Sequence, residues 1–150
     1  MARKLGVSRG SFYWHFESAL DFQAAVLGQW EEQWTRRIIA AVEQTAGGPQ
    51  QRLQALIQKT GGQDASVYAS AKAMARLHPE FQSLMTRVDD RRISFVGSLL
   101  LEGGVPTKAA RLRARVIYAW AMGQMLISGE RRIVPRAMAD ALVAFAFETD

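Results

Sequence analysis

The 150-residue sequence contains no cysteine, which excludes disulfide staples and thiolate metal sites and is compatible with a reducing compartment. Histidine is scarce: His15 and His78 are the two, and neither stands in a Glu-x-x-His or His-Glu-x-x-His spacing, the patterns that place metal ligands on one helix face. Long apolar runs are missing. The longest uncharged stretch, residues 116–129, has 14 residues, short of the roughly 20 that a membrane helix needs. Arg3 and Lys4 are followed by no apolar segment, so a signal peptide is not expected. Alternating apolar and polar runs of strand length are also lacking. The expectation is a soluble, cytoplasmic, all-α protein with no membrane partner, no metal and no cofactor.

What is present suffices for a folded domain. Hydrophobic residues make up 49% of the chain and charged residues 22%, far from the composition of disordered segments. Nineteen Lys and Arg against fourteen Asp and Glu give a net charge of +5, an excess that permits an anionic partner without demanding one. Leu20, Ala24, Leu27, Trp34, Ile38 and Ala41 trace one face of a long helix that Gly47, Gly48 and Pro49 end. Further helices are predicted over residues 50–60, 64–77, 79–102, 107–128 and 135–148. Gly61-Gly62, Gly103-Gly104 with Pro106, and Gly129 with Pro135 punctuate them, and Pro79 suits a first helical position.

The last two of these helices are unusually apolar. In residues 137–147 only Asp140 is charged, so this helix needs cover on more than one side. Leu112, Val116, Ala119, Gly123 and Leu126 follow a four-three-four-three spacing, a narrow seam of the kind used between packed helices. The pattern predicts a homodimer interface, against the plainer alternative that both helices are central in a monomer's core.

Near the start, "LGVSRGSFYWHF" crowds Phe12, Tyr13, Trp14, His15 and Phe16 together. Gly6 fits a helix C-cap and Ser8 the N-cap of a new helix over residues 9–16, which makes a helix, a short turn and a helix. At about 100° per residue, Phe12 and Phe16 share one side and are expected to bury against the helix before them. Gly10, Ser11 and Trp14 face the other way, with Tyr13 and His15 on the flanks. A face of small residues with one tryptophan suits a major groove: Ser11 and Trp14 toward base edges, Tyr13 and His15 toward phosphates.

The segment "ARKLGVSRGSFYWHF" resembles the second half of the helix-turn-helix of TetR-type transcriptional repressors, and "ESALDFQAAVLGQW" is similar to the start of their connecting helix. The motif spans about a tenth of the chain; the remainder agrees only in helix pattern. The resemblance implies a DNA-binding part over residues 1–18 and a ligand-binding and dimerisation part over 19–150. It implies a homodimer joined through its last two helices that releases double-stranded operator DNA when a small molecule binds. Carried over by position, Ser8, Arg9, Gly10, Ser11, Tyr13, Trp14 and His15 form the DNA-contacting set. Ser8 would offer backbone N–H groups to a phosphate, and Arg9 either a guanine edge or a phosphate.

Two departures accompany the resemblance. The family carries a full first helix ahead of the point where this sequence begins, packed on the recognition helix, so DNA binding is expected to depend on that helix. A lysine common at the start of the connecting helix is replaced by Ala19, with Glu17 nearby, which removes one phosphate contact and lowers the expected salt dependence.

Trp34, Tyr68, Met74, Phe81, Met85, Phe95, Tyr118 and Trp120 are candidates to line an apolar pocket for an apolar or amphipathic effector, with tyrosine hydroxyls or His78 fixing its orientation. The alternative for each is plain core. An enzyme is not expected: Glu31-Glu32 and Asp89-Asp90 are adjacent pairs that point to different helix faces and read as solvated charge. The competing functional reading is a dimeric ligand-sensing or interaction module without DNA binding.

Overall fold

The computed structural model describes residues 9–60, 65–128 and 134–148, and every regular element among them is helical. In order these are α1 (Arg9–His15), α2 (Ala19–Glu31), a π-helical stretch (Glu32–Arg36), α3 (Arg37–Glu43), α4 (Pro49–Thr60), α5 (Ala65–Leu77), α6 (Pro79–Glu102), α7 (Thr107–Ser128) and α8 (Arg136–Phe147). The spans expected for α4 to α8 agree to within a residue at each end. Gly6, Val7 and Ser8, which carry the expected turn, lie outside the described residues.

Local chemistry sets the boundaries. Ser18 has an extended backbone and its Oγ accepts a hydrogen bond from Asp21 N at 3.0 Å, while Asp21 Oδ2 accepts one from Glu17 N at 3.2 Å. This reciprocal pair satisfies amides that the first turn of α2 leaves open. Pro79 opens α6 behind an extended His78. At the other end Gly104 takes φ +86°, its N–H bonds Leu101 O, and Val105 N–H reaches Leu100 O, each at 3.0 Å. Those two bonds and the buried Val105 form a Schellman stop, which favours glycine at the left-handed position.

α6 is the spine. Its C-terminal half packs Val96, Leu99 and Leu100 against Leu53 and Ile57 of α4, Ala110, Ala114 and Ile117 of α7, and Ala139 and Ala146 of α8. Its N-terminal half packs Phe81, Met85 and Val88 against Leu27 and Trp30 of α2 and Tyr68, Ala71 and Ala75 of α5. The small residues of α7 and α8 let those backbones come close, and the core is thereby divided along one helix.

The first long helix departs from the regular pattern. A continuous α-helix would line up Leu20, Ala24, Leu27, Trp34, Ile38 and Ala41, yet Leu20, Ala24 and Ala41 are exposed, whereas Thr35 and Val42 are buried. For Thr35, Ala41 and Val42 the π-helical stretch is the cause; Leu20 and Ala24 precede it and are exposed at the outer end of regular α2. Arg37 N–H bonds the carbonyl of Glu32, five residues back, so each residue there turns through less than the usual angle. By Arg36 the lag amounts to about one residue's ~100°. Leu27, Trp30, Thr35 and Val42 consequently fall on one side and all are buried.

Candidate functional site

α1 presents its aromatic residues on two sides. Phe12 is buried, Tyr13 is 65% exposed and Trp14 82% exposed, and His15 is exposed. The Phe12 and Phe16 rings lie 5.5 Å apart, centre to centre, and each packs on Phe22, at 5.4 and 5.0 Å. Phe22 belongs to α2, so the helix that follows anchors this pair; the preceding helix expected to cover it lies outside the described residues. An aromatic triad thus fixes α1 on α2, and an edge-on contact at 4.7 Å couples the outward Trp14 to His15. Arg9, Gly10 and Ser11 belong to the same helix backbone; Ser8 lies outside the described residues.

The eight residues proposed to line a pocket divide. Tyr68, Phe81 and Met85 are buried in the α2–α5–α6 cluster with Trp34 and Met74 packed against it. Phe95 and Trp120 pack on the other cluster. Tyr118 reaches across from α7: its hydroxyl donates to Asp89 Oδ1 at 2.6 Å. A groove of about 380 Å³ between α4 and α8 is lined by Gln50, Gln54, Asp140, Val143 and Phe147 among others, and none of the eight takes part in it. Among the described residues no three His, Asp or Glu side chains gather to hold a metal ion.

Four polar residues, of which Lys72 and Arg92 were not singled out from the sequence, join the α2–α5–α6 cluster to α7. Asp89 is half-buried, accepting from Lys72 Nζ at 2.5 Å through Oδ2 and from Tyr118 through Oδ1. The reading of Asp89 as solvated charge is therefore corrected; its neighbour Asp90 is the exposed one. Glu31 is likewise drawn in, facing Arg36 and Arg91. Burial pushes the Tyr118 hydroxyl well above the ordinary tyrosine range and its bond to Asp89 adds to the shift, against an opposing pull from Arg92. Burial works to lower Lys72, but its bond and attraction to Asp89 and the nearby Tyr68 outweigh it and leave the ammonium raised.

Arg92 completes the group. Its Nε donates to Thr35 Oγ1 at 3.0 Å and its Nη2 to the Trp34 carbonyl at 3.2 Å, and the guanidinium stands 5.1 Å from the Trp30 ring centre. One sequence signal pointed here: Phe81, Met85, Val88, Arg92, Val96 and Leu99 continue a three-and-four spacing, so Arg92 occupies a position in an otherwise apolar stripe.

The outer faces of α7 and α8 are apolar and uncovered. Leu112 is 65% exposed, and Val116, Ala119, Met138 and Phe145 are also exposed. Arg113 crosses from α7 to the end of α8, donating to Ala146 O at 3.2 Å and to Glu148 O, with its guanidinium 6.0 Å from the Phe145 ring. No helix among the described residues is long and apolar enough to cross a membrane. Comparison of the chain with models of known protein families, with curated proteins and with solved structures yields no match.

Proposed function

We propose that this chain is a ligand-responsive, DNA-binding transcriptional regulator of the TetR type, acting as a cytoplasmic homodimer. The observation that carries the proposal is the division of labour in α1. Phe12 and Phe16 fasten the helix to Phe22 while Tyr13, Trp14 and His15 remain outward. A tryptophan left in water on a helix whose Phe12 and Phe16 are packed on Phe22 is placed to meet a partner. On this reading Trp14 and Ser11 read base edges, Tyr13 and His15 hold phosphates, Arg9 takes either role, Ser8 offers backbone N–H groups to a phosphate, and Gly10 allows close approach.

The uncovered stripe of Leu112, Val116 and Ala119 beside α8 supports a second copy as the partner, since two-fold pairing covers apolar faces that one copy leaves in water. The aromatic cluster around Tyr68, Phe81 and Met85 supports an apolar or amphipathic effector. Mobility shifts on a random-sequence duplex pool, with the chain alone and with a TetR-type first helix joined ahead of Met1, test the proposal. It expects retention that weakens as salt rises; the absence of retention with both forms at low salt would refute it.

A further inference from the structure

The groove between α4 and α8 combines two kinds of lining. Val143, Ala144 and Phe147 of α8 supply apolar surface, while Asp140 of α8 and Gln50, Gln51 and Gln54 of α4 supply polar groups. Its volume of about 380 Å³ falls within the range of small-molecule sites, about 300–1,000 Å³. The chain carries a net charge of +5, yet none of that excess lies here: the lining holds one carboxylate and no lysine, arginine or histidine.

The hydrogen bonds leave a charged acceptor open. Gln54 Nε2 donates to Asp140 Oδ1 at 2.5 Å, which fixes the carboxylate and leaves Asp140 Oδ2 and Gln54 Oε1 without a described partner. Gln51 Oε1 accepts from Gly48 N–H at 3.0 Å, so that side chain is held in the turn before α4, and the Gln50 side chain has no described partner. Among the described residues no lysine or arginine pairs with Asp140, Arg136 one turn before it included. An ammonium has three donors and no acceptor. Asp140 Oδ2 and the side-chain carbonyls of Gln54 and Gln50 offer it three acceptors, one of them charged, and a hydrogen bond with an ionised partner is about twice as strong as a neutral one. We infer that the α4–α8 groove is a binding site for a small organic amine in its ammonium form, whose apolar body packs against Val143, Ala144 and Phe147. The site is separate from the aromatic cluster of α2, α5 and α6, and it does not rest on the regulator reading. Because the two helices supply its two walls, an occupant ties α4 to α8 as the bond between Gln54 and Asp140 already does.

An NMR titration of the isotope-labelled full chain tests this with phenethylamine, with phenethyl alcohol, which keeps the shape without the charge, and with hydrocinnamate. The amine is expected to shift the side-chain amide signals of Gln50 and Gln54. It should bind about fivefold or more tightly than the alcohol, the scale of one partly exposed ion pair, and hydrocinnamate should leave those signals unmoved. Asp140→Asn keeps an acceptor for Gln54 at an exposed position and should abolish the difference between amine and alcohol. Ala144→Leu fills part of the groove, so it should weaken both probes and keep the preference for the amine. Equal binding of amine and alcohol, or an amine preference that survives Asp140→Asn, would overturn the assignment. So would amine binding that leaves both glutamine signals unmoved, or failure of all three probes to bind at millimolar concentration.

Discussion

Gly103→Ala and Gly104→Ala alter adjacent residues in one helix stop, and they should fail for different reasons. Gly103 has an ordinary φ of −78°, but a Cβ built on it would stand 2.2 Å from Phe147 Cε1 and 2.8 Å from Cδ1. The Phe147 ring must leave, and with it part of the α8 packing on the core. Overpacking of this kind costs about 1–3 kcal/mol, which for a chain of this size corresponds to roughly 2–10 °C in melting temperature. Gly104 meets nothing within 4 Å, but its φ is +86°, so its alanine variant carries only backbone strain, about 1 kcal/mol. The assay is a double-mutant cycle with Phe147→Ala, read by urea unfolding. In the Phe147→Ala background Gly103→Ala should become nearly neutral, a coupling of about 1–3 kcal/mol, whereas Gly104→Ala should add to Phe147→Ala within about 0.5 kcal/mol. Equal costs for Gly103→Ala in both backgrounds would show that the ring contact is not its cause.

Three further outcomes are expected. Tyr118 and Lys72 both hold their protons more tightly in the native state, so above about pH 10 the unfolded chain loses protons first and stability falls; melting scans from pH 9 to 11 should show the decline, less steep in Tyr118→Phe, and an unchanged slope in that variant would refute the role given to this hydroxyl. Deleting Gln33 should turn the π-helical stretch into regular α-helix and keep Leu27, Trp30, Thr35 and Val42 aligned, whereas deleting Gln29 should expel Trp30 at a cost of about 3–5 kcal/mol; comparable losses on thermal unfolding would contradict the one-residue lag. Leu112→Glu should convert a micromolar dimer to a monomer by light scattering with little effect on the fold, since Leu112 is 65% exposed; a monomeric parent chain would remove the dimer from the account.

The legible parts of the fold were those set by local chemistry. Gly47 ahead of α4, Pro79 at the start of α6 and Gly104 past its end were legible, because a left-handed residue or a missing N–H acts on its own turn. The two sides of α1 followed from helical angle alone. The first long helix was misjudged from Thr35 onward because a π-helical turn is decided by burial on both sides, not by the residues within it; Thr35 reads as a surface residue until Arg92 is brought to it. Asp89 was misjudged for the same kind of reason. Its neighbour Asp90 is in water, and only the approach of α5 and α7 gives Asp89 its Lys72 and Tyr118 partners. Phe22, six residues past Phe16, was not named from the sequence as a partner of Phe12 and Phe16, because only the turn between α1 and α2 brings the three rings together.

The claim that Trp14 faces DNA is tested most directly by sequencing duplexes selected from a random pool by the dimer with a TetR-type first helix in place, for the parent and for Trp14→Ala. The account predicts that the parent enriches a pseudo-palindrome with half-sites about one helical turn, or a multiple, apart. It predicts that Trp14→Ala flattens base preference within each half-site, while Tyr13→Phe and His15→Ala lower affinity evenly across sequences. Enrichment of the same site, with the same base preferences, by Trp14→Ala would contradict it.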